Sequence, residues 1–147
     1  MGRILAIDYG LRRTGIAVSD PLQIIAGGLT TVDTRELESW LAQYMAANDV
    51  STIVIGKPVQ MNGQPSRTWS SIEPLAARLR AKYPDKKVVF HDERFTSVLV
   101  HRAMLESGIG RMARRDKALV DKISATIILQ SYMENDNSKF KIQNSKL

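Results

Sequence analysis

Three acids in this 147-residue chain sit where an acid is expensive. Asp8 follows the apolar run Ile4, Leu5, Ala6, Ile7 and precedes Gly10 by two positions, which places it at the end of a buried strand. An ionised carboxylate there costs roughly several kcal/mol unless a cation, a metal or hydrogen-bond donors replace the lost water. Glu93 lies near the end of another strand pattern, KVVFHDERF, beside Asp92. Strand alternation turns these two neighbours to opposite faces, so a single site takes only one of them. Asp121 belongs to a helical pattern, where it shares a stripe with Ala118, Ala125, Ile128 and Tyr132. That stripe reads as core-facing, and small residues at Ala118, Ser124 and Ala125 allow the helix to approach a sheet closely.

Acids on two strand ends and on the inner side of a helix can converge. If they do, their like charges repel and raise one another's pKa unless divalent cations neutralise them. Carboxylate oxygens suit Mg²⁺ or Mn²⁺. Two such ions about 3.5–4 Å apart can hold the attacking and leaving oxygens of a phosphodiester during in-line displacement. The absence of cysteine excludes disulfides, thiolate zinc sites and cysteine nucleophiles, and two histidines, His91 and His101, are too few for most imidazole-built sites.

Structural roles compete for the same acids. Asp8 can cap its own turn before Gly10, Asp121 can pair internally with an Arg or Lys, and Glu93 can pair with Arg94 or cap the following helix. Asp20, before Pro21, reads as a turn residue, and Asp33 and Asp116 read as helix caps. His91 reads as a packed strand histidine, and the methionines as core filler.

The elements that must position these acids follow from periodicity. Strand patterns cover 4–8, 14–20 and 27–32, an antiparallel meander. Asp33 with Glu36 matches a capping box, and Leu37, Trp40, Leu41, Tyr44 and Met45 continue as an amphipathic helix to Asn48. The β-branched run STIVIG is a strand buried on both faces, as in a parallel sheet. A second helix carries Ile72, Leu75, Ala76 and Leu79, with Pro74 marking a kink or its true start. The strand Lys87–Phe95, a third helix stopping at Gly108 and a last helix from Asp116 to Met133 complete the order. The pattern predicts an α/β fold with a mixed five-stranded sheet, three strands in a meander and then parallel strands, flanked by helices. It also predicts one domain over 1–134 and a disordered polar tail over 135–147, whose final Ser-Lys-Leu is a weak match to a peroxisomal address.

The net charge of +6, from 21 Lys and Arg against 15 Asp and Glu, favours polyanionic partners. The positions of the charges say more. Arg12 and Arg13 follow the Asp8 turn, and Arg111, Arg114, Arg115 and Lys117 crowd one glycine-led segment that reads as a loop. No window is apolar enough for a membrane span and no secretory signal is visible, so a cytoplasmic protein is expected.

Four motifs in order resemble the YqgF (RuvX) family, relatives of the RuvC Holliday-junction resolvases within the RNase H-like superfamily: IDYGLRRTGIAVSD, GKPVQMNG, DERFTS and DKISATIILQSY. The resemblance spans roughly residues 3 to 133 and implies an RNase H-like fold with a divalent-metal nuclease site. The family's acidic positions fall on Asp8, Glu93 and Asp121, which implies that these three hold Mg²⁺ or Mn²⁺ as catalytic ligands. Where the family often carries Gly-Leu-Pro, this chain has Gly56-Lys57-Pro58, an added positive charge for phosphate contact. Arg12, Arg13, Lys57, Arg111, Arg114, Arg115 and Lys117 are the candidate nucleic-acid contacts. The activity implied is maturation of the 5′ end of precursor 16S ribosomal RNA, with structured RNA or the small ribosomal subunit as partner. Two other readings stand beside it. One is a Holliday-junction resolvase on branched DNA, which requires a dimer; the other is an RNase H-like nucleic-acid binder with little nuclease activity, which has no need of three mutually repelling acids. A monomer and a homodimer are both compatible with the sequence.

Overall fold

The computed structural model describes residues 2–58, 68–92 and 117–145, with side chains in the last helix from 118 to 134. Strands β1 (Arg3–Asp8), β2 (Arg13–Ser19) and β3 (Ala26–Asp33) form the expected antiparallel meander. Strand β4 (Val50–Lys57) returns parallel to β1, and β5 (Lys87–Asp92) lies parallel to β4. The five strands make one sheet in the order β3-β2-β1-β4-β5. A 3₁₀ turn (Thr34–Glu36) leads into helix α1 (Leu37–Ala47), α2 (Trp69–Lys82) connects β4 to β5, and α3 (Lys117–Ser145) closes the described chain.

The sheet is apolar on both faces, as the β-branched β4 requires. Leu5, Ile7, Ile16, Ile53 and Ile55 face α1 and α2, where they pack with Leu37, Leu41, Ile72, Leu75 and Leu79. Ile4, Ala6, Ala17 and Val54 face the other way and pack with Ala125, Ile128, Leu129 and Met133 of α3. Beyond the irregularity at the start of β4, which puts Val50 on the α1/α2 side, the period of two sorts the core residues of β1, β2, β4 and β5 to an α1/α2 side or an α3 side.

Local chemistry follows the sequence reading with adjustments. Asp33 accepts from the backbone N of Arg35 and from its guanidinium, so it caps the 3₁₀ turn; no Glu36 return bond forms, and α1 starts later without a side-chain cap. Pro74 lies inside α2, which starts at Trp69, so it does not mark the start. Helix α3 runs past Met133, its expected end, to Ser145. The third predicted helix, Asp116, and the part of the predicted strand beyond Asp92 lie outside the described residues.

Two contacts set the geometry. A Cβ at Gly15 would collide with the main-chain carbonyl of Asp121, so α3 rests directly on β2 at a residue without a side chain. Asp20 accepts from the backbone N of Leu22, Ile24 and Ile25 at 3.2, 2.7 and 2.7 Å, which confirms it as the turn-former between β2 and β3. These bonds, that from Ile25 foremost, hold its carboxyl below the usual carboxylate range.

Gly15→Ala is expected to lower unfolding stability by about 1–3 kcal/mol in urea titration, since main chain must move. Gly27→Ala, whose Cβ would meet nothing nearer than Val18 O at 3.9 Å, is expected to fall within about 0.5 kcal/mol of wild type. Asp20→Ala is expected to lower the unfolding midpoint at neutral pH. Because the native carboxyl is the stronger acid, its contribution is complete above the unfolded-state pKa and disappears as pH falls through the native value. The gap between variant and wild type should therefore close as pH is lowered below 4, which urea melts across pH would measure.

Candidate active site

Strands β1, β4 and β5 run together, β3 runs with them, and β2 runs against them. The carboxyl ends of four strands and the start of β2 therefore share one edge of the sheet, the edge where ligands of open α/β sheets collect. Asp8 ends β1 at that edge. Since Ile4 and Ala6 face α3, alternation puts Asp8 on the α3 side as well.

Asp121 reaches the same place from the other end of the sequence. Asp8 is the register partner of Gly15 in β2, and Gly15 lies under the carbonyl of Asp121. The two acids thus flank one glycine, 113 positions apart in sequence (121 − 8). The stripe read from the helical wheel is realised at Ala125 and Ile128, which are buried, but Ala118 is exposed. The Ala118 carbonyl instead accepts from the Thr31 hydroxyl of β3 and ties the start of α3 to the sheet edge.

Arg13 shares the parity of Gly15 and Ala17 and so lies on the α3 side. Its Nε donates to Asp121 Oδ2 at 3.2 Å, with the two side chains 39% and 24% exposed. The internal partner that was one reading of Asp121 is therefore Arg13, the guanidinium also expected to hold phosphate. A pair this open contributes at most about 1 kcal/mol to stability, so its significance lies in where it places two charges.

The turn between β1 and β2 is built to hold Arg12 and Arg13 in place. A Cβ at Gly10 would collide with the Arg13 carbonyl, so only glycine allows the chain to fold back this tightly. Thr34 Oγ1 donates to the Gly10 carbonyl at 2.6 Å, and Thr34 N donates to the Arg12 carbonyl at 2.9 Å. The Thr34 hydroxyl proton is thereby committed, so Thr14 Oγ1 is the donor in their 2.9 Å contact. Arg12 itself is exposed.

Lys57 reaches the edge but not the same side. It continues the parity of Ile53 and Ile55, and its Nζ lies 5.0 Å from the centroid of the Trp69 ring, which in turn packs edge-on against Phe90 at 4.9 Å. The added charge is thus fixed by a cation–π contact on the α1/α2 side. His91 faces α3: its Nε2 lies 2.9 Å from Ser131 Oγ and its ring packs edge-on to Tyr132. Burial pushes its pKa down and Asp92 partly opposes this, as befits a packed strand histidine.

Glu93, Arg111, Arg114 and Arg115 lie outside the described residues, as does the side chain of Lys117, the first residue of α3. Among the described residues no three of Asp, Glu, His and Cys gather to hold an ion. Sequence reasoning missed Gly15, Thr34 and Trp69. A lone glycine inside a strand pattern is the signal that could have found Gly15.

The RuvX family model, described as Holliday junction resolvase, matches residues 2–135. A relative from Bacteroides thetaiotaomicron named "Putative pre-16S rRNA nuclease" is 56% identical over 135 residues, covering 92% of this chain and 98% of its own. Relatives of the same name from Bacteroides fragilis and Flavobacterium johnsoniae are 57% and 50% identical, covering 91% and 92% of this chain and 97% and 98% of theirs. Among solved structures, Archaeoglobus fulgidus Pelota matches at 12% identity with a TM-score of 0.42, covering 99% of this chain and 40% of its own, a likeness too slight to bear on function. With the family model matched over residues 2–135 and these relatives over nearly their whole length, the chain belongs to the RuvX family.

Proposed function

We propose that this protein is a divalent-metal-dependent endonuclease that hydrolyses phosphodiester bonds in structured RNA, maturing the 5′ end of precursor 16S ribosomal RNA in the cytoplasm. The observation that carries the reading is the placement of Asp8 and Asp121 on one side of one sheet edge, flanking Gly15, with Arg13 beside them. The relatives' names supply the substrate.

The donor set suits a hard cation, because it offers carboxylate oxygens at a partly open edge and neither sulfur nor a free imidazole. Parity supports Glu93 over Asp92 as the third acid. Phe90 packs on the α1/α2 side and Asp92 shares its parity, so Asp92 lies on the side away from Asp8 and Asp121 and is the poorer candidate. Asp8, Glu93 and Asp121 would hold one ion or two of Mg²⁺ or Mn²⁺, which when bound supply an activated water and stabilise the leaving oxygen. Arg12 and Arg13 orient the backbone phosphate by guanidinium hydrogen bonds. Lys57, held over Trp69, contacts the strand as it leaves on the other side. Arg111, Arg114 and Arg115, with Lys117 at the start of α3, clamp it.

The family description favours a second reading, a resolvase for branched DNA, which needs a homodimer that presents two such sites to opposed strands. Gel filtration with a four-way-junction assay separates it from a monomer acting on RNA.

Asp8→Asn is expected to reduce Mg²⁺-dependent cleavage of purified precursor rRNA by about a hundredfold or more, with thermal stability retained. Equal cutting by variant and wild type would falsify the site. Arg114→Ala with Arg115→Ala is expected to weaken RNA binding and to flatten the slope of log affinity against log salt by about 1–2, as measured by anisotropy from low to physiological ionic strength. An unchanged slope removes the clamp.

A further inference from the structure

The pair between Arg13 and Asp121 joins two residues that the proposed nuclease uses for different partners. Asp121 is a ligand for the ion, and Arg13 is a contact for phosphate. In the structure they bind each other, through Nε and Oδ2 at 3.2 Å, at the sheet edge beside Asp8. We infer that Arg13 is an exchangeable counter-charge: it holds Asp121 when no ion is bound, and it turns to the substrate phosphate when the carboxylate takes an ion. This inference rests on the nuclease reading of the site.

Three features carry the exchange. The guanidinium cannot lose its charge, so it compensates the acids at any pH at which the protein is folded. The bond described is through Nε alone, which leaves the two terminal nitrogens with donors suited to a bidentate phosphate contact. The side chain is 39% exposed, so it has room to leave the carboxylate and meet another anion. Arg13 is also the first residue of β2, and its main chain is fixed by the Gly10 turn. Only the side chain has to move. Since one guanidinium cannot serve both partners fully, ion binding and RNA binding become coupled, and the coupling is reciprocal.

The test reads binding, not turnover. Mn²⁺ titrated by calorimetry into the protein without RNA is expected to bind Arg13→Gln about fivefold more tightly than wild type, the size of effect available to a partly exposed ion pair. Arg12→Gln removes the same charge from the exposed neighbour and controls for charge alone; it is expected to change Mn²⁺ affinity less than twofold. In ¹H–¹⁵N spectra, the Arg13 Nε resonance, identified by its absence from Arg13→Gln, is expected to move in step with Mg²⁺ saturation. It is expected to move again when a non-cleaved RNA duplex is added. Arg13→Gln should bind that duplex with an affinity that improves less with Mg²⁺ than that of Arg12→Gln, which retains the exchangeable guanidinium.

An Nε resonance unmoved at saturating Mg²⁺, or an Arg13→Gln affinity for Mn²⁺ no tighter than that of Arg12→Gln, overturns the exchange while leaving the ion site standing. No ion binding by wild type or by Arg13→Gln, with or without RNA, overturns the ion site and the exchange together. If Arg13→Gln binds Mn²⁺ more weakly than wild type, Arg13 steadies Asp121 for the ion and does not compete with it, which also overturns the exchange.

Discussion

The close approach of α3 to β2 at Gly15 is the constraint on which the site depends. Helices normally stand off a sheet by the length of their side chains, at about 10 Å between axis and sheet. Here the carbonyl of Asp121 occupies the space a Cβ would fill. That contact draws the first turns of α3 down onto the sheet edge, and it is Asp121 that is drawn down. Asp8 sits across from the same glycine in the β1–β2 register. A side chain at position 15 would lift the helix and separate the two acids even if every other residue stayed the same. The apolar contacts of Ala125, Ile128 and Leu129 then hold α3 where the glycine allows it to lie.

The acids are tolerable because the edge is open and because cations lie near. Like-charged carboxylates raise one another's pKa, and burial adds to the cost. Asp121 is about a quarter exposed and bonded to Arg13, so its charge is partly hydrated and partly compensated. The arrangement separates stability from chemistry. Folding energy comes from two apolar layers, one on each face of the sheet, while the charged groups occupy the rim where they contribute little to stability. Charges placed there can change partners without threatening the fold.

The fold was largely legible in the sequence because its signals are local. The meander, the buried β4 and the amphipathic α1 each follow from a period of two or of 3.6 within a few residues, and each is found where its pattern lies. Asp121 was legible for the same reason, as an acid on an apolar stripe. What was not legible depended on contacts between distant segments. The partner of Asp121 could be narrowed to an Arg or Lys, but the choice of Arg13 is made by the crossing of α3 over β2, which no local period encodes. Ala118 illustrates the limit: the wheel assigned it to the buried stripe, yet one residue into α3 it is exposed, and it is its carbonyl that meets the sheet, through the Thr31 hydroxyl. Lys57 illustrates another, since the strand end was clear from the sequence but the side on which the lysine lies depends on counting parity from a correctly placed strand, and on Trp69 being there to receive it.

Parity also explains why a single edge can carry two kinds of positive charge without confusion. Arg13 and Lys57 both sit at strand ends on the same rim, but an odd or even count along β2 and β4 sends the first to the side of the acids and the second to the side of Trp69. A polyanion crossing the rim meets a guanidinium beside the carboxylates and an ammonium beyond them. The guanidinium is bound to an acid and can be released from it; the ammonium is held by a ring that offers no competing negative charge. On the proposed exchange, one charge responds to what occupies the acids and the other is constant. In the proposed nuclease, such a rim would hold a nucleic-acid backbone through Lys57 before the site is loaded and engage the scissile phosphate through Arg13 only afterwards.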